Sequence, residues 1–105
     1  MKKEDIQKIA FQIIAYAGSA FDYFNQAIDL ASKNNIIEAE EKIRSGNEEL
    51  NRAHNAQTSI LACEANNEDI PYSIIMVHAQ DHLTMALFTE RMAKHFINIW
   101  KEKGC

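Results

Sequence analysis

Apolar residues recur every three or four positions through three successive stretches of this chain, and only two short polar breaks interrupt them. That period belongs to helices with one buried face, so the sequence specifies an all-α fold. The first stretch, from about Asp5 to Ala31, carries Ile6, Ile9, Ile13, Ala17, Phe21, Phe24, Ile28 and Ala31 on one side. SKNN at 32–35 breaks it, and Asn35 with Glu38 three residues on has the spacing of a capping box that opens a second helix. That helix runs to about Glu64 with Ile36, Ala39, Ile43, Gly46, Leu50, Ala53, Gln57, Ile60 and Leu61 inward. Gly46 costs about 1 kcal/mol relative to alanine there, which a close helix crossing or a slight bend would explain. ANNEDIP at 65–71 is the second break, with Pro71 suited to the first turn of a third helix that continues to about Lys101.

Short connections predict three long antiparallel helices, each roughly 27 to 31 residues and so about 40 to 46 Å in length. Rods of that length do not close into a compact monomer, and the third one is greasy on two adjacent stripes. One comprises Ile75, Ala79, Leu83, Ala86, Ala93, Ile97 and Trp100; the other comprises Ile74, His78, Asp81, Met85, Phe88, Met92, Phe96 and Ile99. A single subunit has use for one such stripe, so the other predicts association with further copies.

The chain has 105 residues and shows no composition break, internal repeat or low-complexity segment, so residues 1–105 read as a single domain. Its net charge of −4 and lack of a Lys/Arg cluster argue against a nucleic-acid partner. No run of eighteen apolar residues occurs, which argues against membrane insertion, and polar residues interrupt the amino-terminal stretch too often for a signal peptide. Cys63 and Cys105 lack the spacing of a zinc site or redox pair and read as free thiols, so a cytoplasmic location is expected.

VHAQDHLTMA at 77–86 places an imidazole and a carboxylate, His78 and Asp81, among positions that otherwise belong to core residues. Asp81 at i+3 and His82 at i+4 share the side of His78, so a second titratable group is available to orient it. A neutral imidazole is a competent nucleophile toward phosphorus, and phosphoryl transfer needs chiefly positioning and charge stabilisation. The plainer alternative is a core histidine satisfied by a neighbour. A transition-metal site fits the ligand types, but three ligands on one turn converge poorly and HAQDH is not HExxH. In a symmetric oligomer the Asp81 copies would meet near the axis, where carboxylates must be protonated, hydrated or bridged by a cation. His54 reads as a packing residue, His95 as an exposed helix-end cation, and Glu38, Glu40 and Glu41 as a solvated first turn.

These residues carry a family resemblance that spans essentially the whole chain. VHAQDHLTMA, supported by AHNAQTSILACEA at 53–65 and FQIIAYAGSA at 11–20, resembles the enzyme IIA component of the lactose and cellobiose (chitobiose) class of the bacterial phosphoenolpyruvate-dependent sugar phosphotransferase system. The resemblance implies a homotrimer of three-helix subunits and a phosphotransferase component working through a phosphohistidine. His78 would accept the phosphoryl group from phospho-HPr and pass it to a cysteine of the IIB component, with the IIC component phosphorylating the disaccharide during uptake. Asp81 matches the family's acidic residue at the trimer axis, implying Mg2+ there, and Gln80 and His82 match positions beside the active histidine. The chain departs from the family after Gly18, where Ser19, Ala20, Phe21 and Asp22 replace a small or charged run with Arg and Ser, and again at NNEDIPYS. The competing function is a non-catalytic helical oligomer or metal-binding bundle in which His78 and Asp81 are structural or ligand residues. A histidine-phosphotransfer module of two-component signalling also uses a helical histidine, but usually has Lys and Gly shortly after it.

Overall fold

The computed structural model describes residues 1–103, so Cys105 lies outside the described residues. Three helices follow one another: α1 (Lys3–Ser32), α2 (Ile36–Ala65) and α3 (Ile74–Lys103). Among the described residues there is no strand. The amino terminus donates a hydrogen bond to the Asp69 carbonyl in the second connection (3.4 Å), while Lys101 near the end of α3 meets Glu40 in the second turn of α2 (3.4 Å). The helices therefore run up, down and up.

The two connections use the same device. Asn34 and Asn67 have φ of 64° and 60°, the left-handed conformation that asparagine tolerates better than most residues with a Cβ. After α1, the Asn34 N–H donates to the Ala31 carbonyl (2.9 Å) and the Asn35 N–H to Leu30 (2.8 Å). After α2, Asn67 donates to Glu64 (3.0 Å) and Glu68 to Cys63 (3.0 Å). Each is a Schellman motif, which satisfies helix-end carbonyls while turning the chain.

Two expected helix starts differ from what is found. Asn35 stands at the cap position of α2 but makes no side-chain cap bond, because its backbone is already committed to closing α1. Pro71 lies before α3 rather than in its first turn; the helix begins after Ser73, whose Oγ accepts the Met76 N–H (3.4 Å) and whose carbonyl accepts that of Val77 (3.2 Å). Serine supplies the side-chain acceptor that a helix start lacks, and proline does not.

Small residues recur every seven positions on the inner faces, as Ala39, Gly46 and Ala53 on α2 and Ala79, Ala86 and Ala93 on α3, all buried. They let the helix axes approach, while Ile13, Phe24, Leu50 and Leu83 fill the space between them. Phe24 is fully buried, worth about 1.5–3 kcal/mol by area. Its ring lies against Gly46, with ring carbons at 2.8 and 2.9 Å from where a Cβ would stand. A close contact thus accounts for that glycine.

The folded chain is elongated, 56 × 20 × 17 Å with a radius of gyration of 16.3 Å. A compact chain of this length would have a radius of about 13 Å.

Candidate functional site

The rotation of α3 about its axis sorts its two apolar stripes. Ala79, Leu83, Ala86, Ala93 and Ile97 face the other helices. Ile74, His78, Asp81, Met85, Phe88, Met92, Phe96 and Ile99 face outward; Phe88 is 63% exposed and Ile74 72%. Within one chain His78 and Asp81 are therefore surface residues, not core polar groups. The inward stripe is built from alanines, and their small side chains bring α1 close enough to exclude the longer stripe.

His78 and His82 lie one turn apart and touch. Their Nε2 atoms are 3.0 Å apart, with ring centroids at 4.5 Å and planes at 85°. At that distance one ring donates a proton and the other accepts it with its lone pair. His82 is half-buried against α1 and His78 is exposed, so the pair is anchored on one side and open on the other.

Asp81 is exposed, and among the described residues it makes no hydrogen bond or ion pair. The partner of His78 is therefore His82 and not the carboxylate. Gln80 points the other way, as two residues' rotation about a helix requires. Its side-chain carbonyl accepts from Gln57 of α2 and its amide meets the Met76 sulfur (3.2 Å), so it ties α2 to α3 behind the histidines. Gln57 could be picked out as a polar residue on an apolar stripe, but single-helix periodicity does not reveal its partner.

The remaining histidines stand apart from this pair. His54 is half-buried in α2, with its carbonyl accepting the Thr58 hydroxyl (2.9 Å), and His95 is exposed near the end of α3. Cys63 is free, and a hydrogen bond from its thiol to Glu68 pushes its pKa up, with burial adding in the same direction. Among the described residues no group of three His, Cys, Asp or Glu could hold a metal ion within one chain, and no helix is long and apolar enough to cross a membrane.

The profile of the family described as "PTS system, Lactose/Cellobiose specific IIA subunit" matches residues 8–101. The lactose-specific EIIA component of Staphylococcus epidermidis is 40% identical over 102 residues, covering 97% of this chain and 98% of that protein. Its counterpart from Streptococcus mutans is 36% identical over 101 residues, covering 96% and 97%. Among solved structures, PtcA from S. mutans superposes with a TM-score of 0.93 at 39% identity, covering 96% of this chain and 99% of that one. The cellobiose-specific enzyme IIA from Bacillus anthracis gives 0.91 at 32% identity, covering 99% and 94%. A three-helix chain with a paired, exposed histidine in VHAQDHLTMA thus belongs to the lactose/cellobiose-specific IIA subunits of the sugar phosphotransferase system.

Proposed function

We propose that this IIA subunit is a cytoplasmic phosphocarrier in which His78 takes a phosphoryl group from phospho-HPr and hands it to a cysteine of its IIB component. The sugar served is a disaccharide of the lactose, cellobiose or chitobiose class, phosphorylated during uptake by the IIC component. The observation that carries this reading is the contact between His78 Nε2 and His82 Nε2 on an open helix face.

In the resting pair His82 donates its Nε2–H and His78 accepts with the Nε2 lone pair, leaving the His78 proton on Nδ1. This tautomer keeps the nucleophilic nitrogen unprotonated. When the donor arrives, His82 yields its place, the His78 lone pair attacks phosphorus, and the bond from phosphorus to the donor breaks as the P–Nε2 bond forms. The His82 Nε2–H then donates to a phosphoryl oxygen, offsetting charge where it accumulates. In the second transfer the acceptor thiolate displaces Nε2 from phosphorus and the original tautomer returns. Gln80, held by Gln57, positions α3 behind the pair.

Assembly follows from the outward stripe. Met85, Phe88, Met92 and Phe96 present more apolar side chain than an isolated subunit keeps in water, and three copies packed through α3 would cover it as a homotrimer. One Asp81 is too little for a metal, but three converging on an axis offer the oxygen ligands that Mg2+ prefers. Such an ion would neutralise carboxylates that otherwise repel one another. Phosphorus NMR of the labelled protein tests the chemistry: the signal should be that of an Nε2-phosphohistidine, lost in His78→Ala, and an Nδ1 signal would overturn the tautomer assignment.

A further inference from the structure

Two imidazoles that share a hydrogen bond on one helix face also have the geometry of a chelate. His78 Nε2 and His82 Nε2 are 3.0 Å apart, and among the described residues neither ring has another polar partner. A metal ion about 2.0–2.1 Å from each nitrogen sits about 1.4 Å off the line joining them and sees the pair at an angle of about 91–97°. That angle suits the square or tetragonal geometry of Cu2+ and Ni2+ as it stands. Tetrahedral Zn2+ asks for the nitrogens to be about 0.3–0.4 Å further apart. His78 is exposed, so its ring has room for that movement and water reaches the remaining coordination positions. Asp81 bonds to neither ring, so the chelate consists of the two imidazoles alone.

We propose that His78 and His82 together bind a divalent transition-metal ion of the nickel, copper and zinc series through their Nε2 atoms, and that the bound ion blocks phosphoryl acceptance. The inhibition rests on the reading of His78 as phosphoryl acceptor; the metal site does not. In the resting pair His82 carries its proton on Nε2. Metal binding moves that proton to Nδ1 through water, both rings stay neutral, and each Nε2 lone pair goes to the metal. The nucleophilic lone pair is thereby occupied, and His82 has no Nε2–H left to offer a phosphoryl oxygen. A face that admits a phosphoryl group admits an ion, so packing of other copies on Met85, Phe88, Met92 and Phe96 leaves the pair within reach. Mg2+ prefers oxygen ligands and does not compete for it. Among the described residues His54 and His95 have no second imidazole beside them, so they offer no comparable chelate.

Zn2+ added to the full-length protein in a Mg2+ buffer tests the site, read by nitrogen-15 NMR of the imidazoles. The Nε2 signals of His78 and His82 should shift together with one shared Kd, while those of His54 and His95 stay in place. Calorimetry should show affinity weakened at least about tenfold in His82→Ala, since even residues one step removed from a metal have effects of that size. The inhibition is tested with phosphoramidate, a small donor that needs no upstream enzyme, and labelling is followed by intact mass. Zn2+ at ten times its Kd should slow labelling of the wild type to about a tenth, and chelator should restore it. A shift confined to one ring, or equal affinity in His82→Ala, would overturn the site. Unimpaired labelling of the Zn2+-saturated protein would overturn the inhibition. If the metal-free wild type takes no label at all, the phosphocarrier reading fails and the inhibition with it, while paired shifts would still establish the metal site.

Discussion

The Phe24 ring occupies the space that a side chain at position 46 would need, so α1 and α2 are locked together by a large residue on one and the absence of a side chain on the other. Gly46→Ala forces that ring from its place. Overpacking of this kind costs about 1–3 kcal/mol, and the better helix propensity of alanine returns about 1 kcal/mol of it. The expected result is a lower unfolding temperature, with much of the loss recovered when Phe24→Leu is added. Equal stability of Gly46→Ala and wild type in a thermal melt would show that the ring is free to move.

Gly18 gives the opposite expectation from the same residue type. Its Cβ would meet nothing within 4 Å, so Gly18→Ala should stabilise by about 0.5–1 kcal/mol through lower unfolded-state entropy. Urea unfolding of the two alanine variants side by side should give midpoint shifts of opposite sign.

Asp81→Leu removes a carboxylate from the outward stripe of α3. If copies of Asp81 meet on an axis, the variant should assemble as well as the wild type and should no longer respond to chelator or Mg2+. Analytical ultracentrifugation with and without chelator reads both properties. Dissociation of the variant under all conditions would show instead that the bridged carboxylates contribute net stability.

Cys63 donates its thiol proton to Glu68, which holds the pKa above its ordinary value. The thiolate is the reactive form, so alkylation by iodoacetamide near pH 8 should be slower at Cys63 than in an unstructured peptide. Glu68→Gln removes the charge and should speed the reaction, with the rate rising toward that of the peptide. A variant alkylated no faster than wild type would mean that access, not protonation, limits the reaction.

Much of this architecture was legible because long helices leave a repetitive signature. The period of the apolar residues located all three helices, and the Asn-containing breaks at 34–35 and 66–67 marked where the first two end. The start of α3 was misread because Pro71 is a familiar first-turn residue, whereas the cap is made by Ser73 two positions on. Helical spacing offers His78 two partners, Asp81 at i+3 and His82 at i+4, and only the rotamers in the folded chain pair it with His82. Which stripe of α3 faces inward was harder to read. Hydrophobicity favours the one with Phe88 and Phe96, yet close helix packing selects the alanine stripe, and packing between helices leaves no mark in one helix's period. For the same reason the link between Gln57 and Gln80 was visible only as two separate polar residues.

The central claim is that His78 carries a phosphoryl group. Intact-mass spectrometry at neutral or alkaline pH, after incubation with phosphoenolpyruvate, enzyme I and HPr, tests it most directly. The account predicts one added phosphoryl mass per chain, lost on acid treatment and absent from His78→Ala. An unmodified wild-type chain beside phosphorylated HPr in the same tube, or full labelling of His78→Ala, would contradict it.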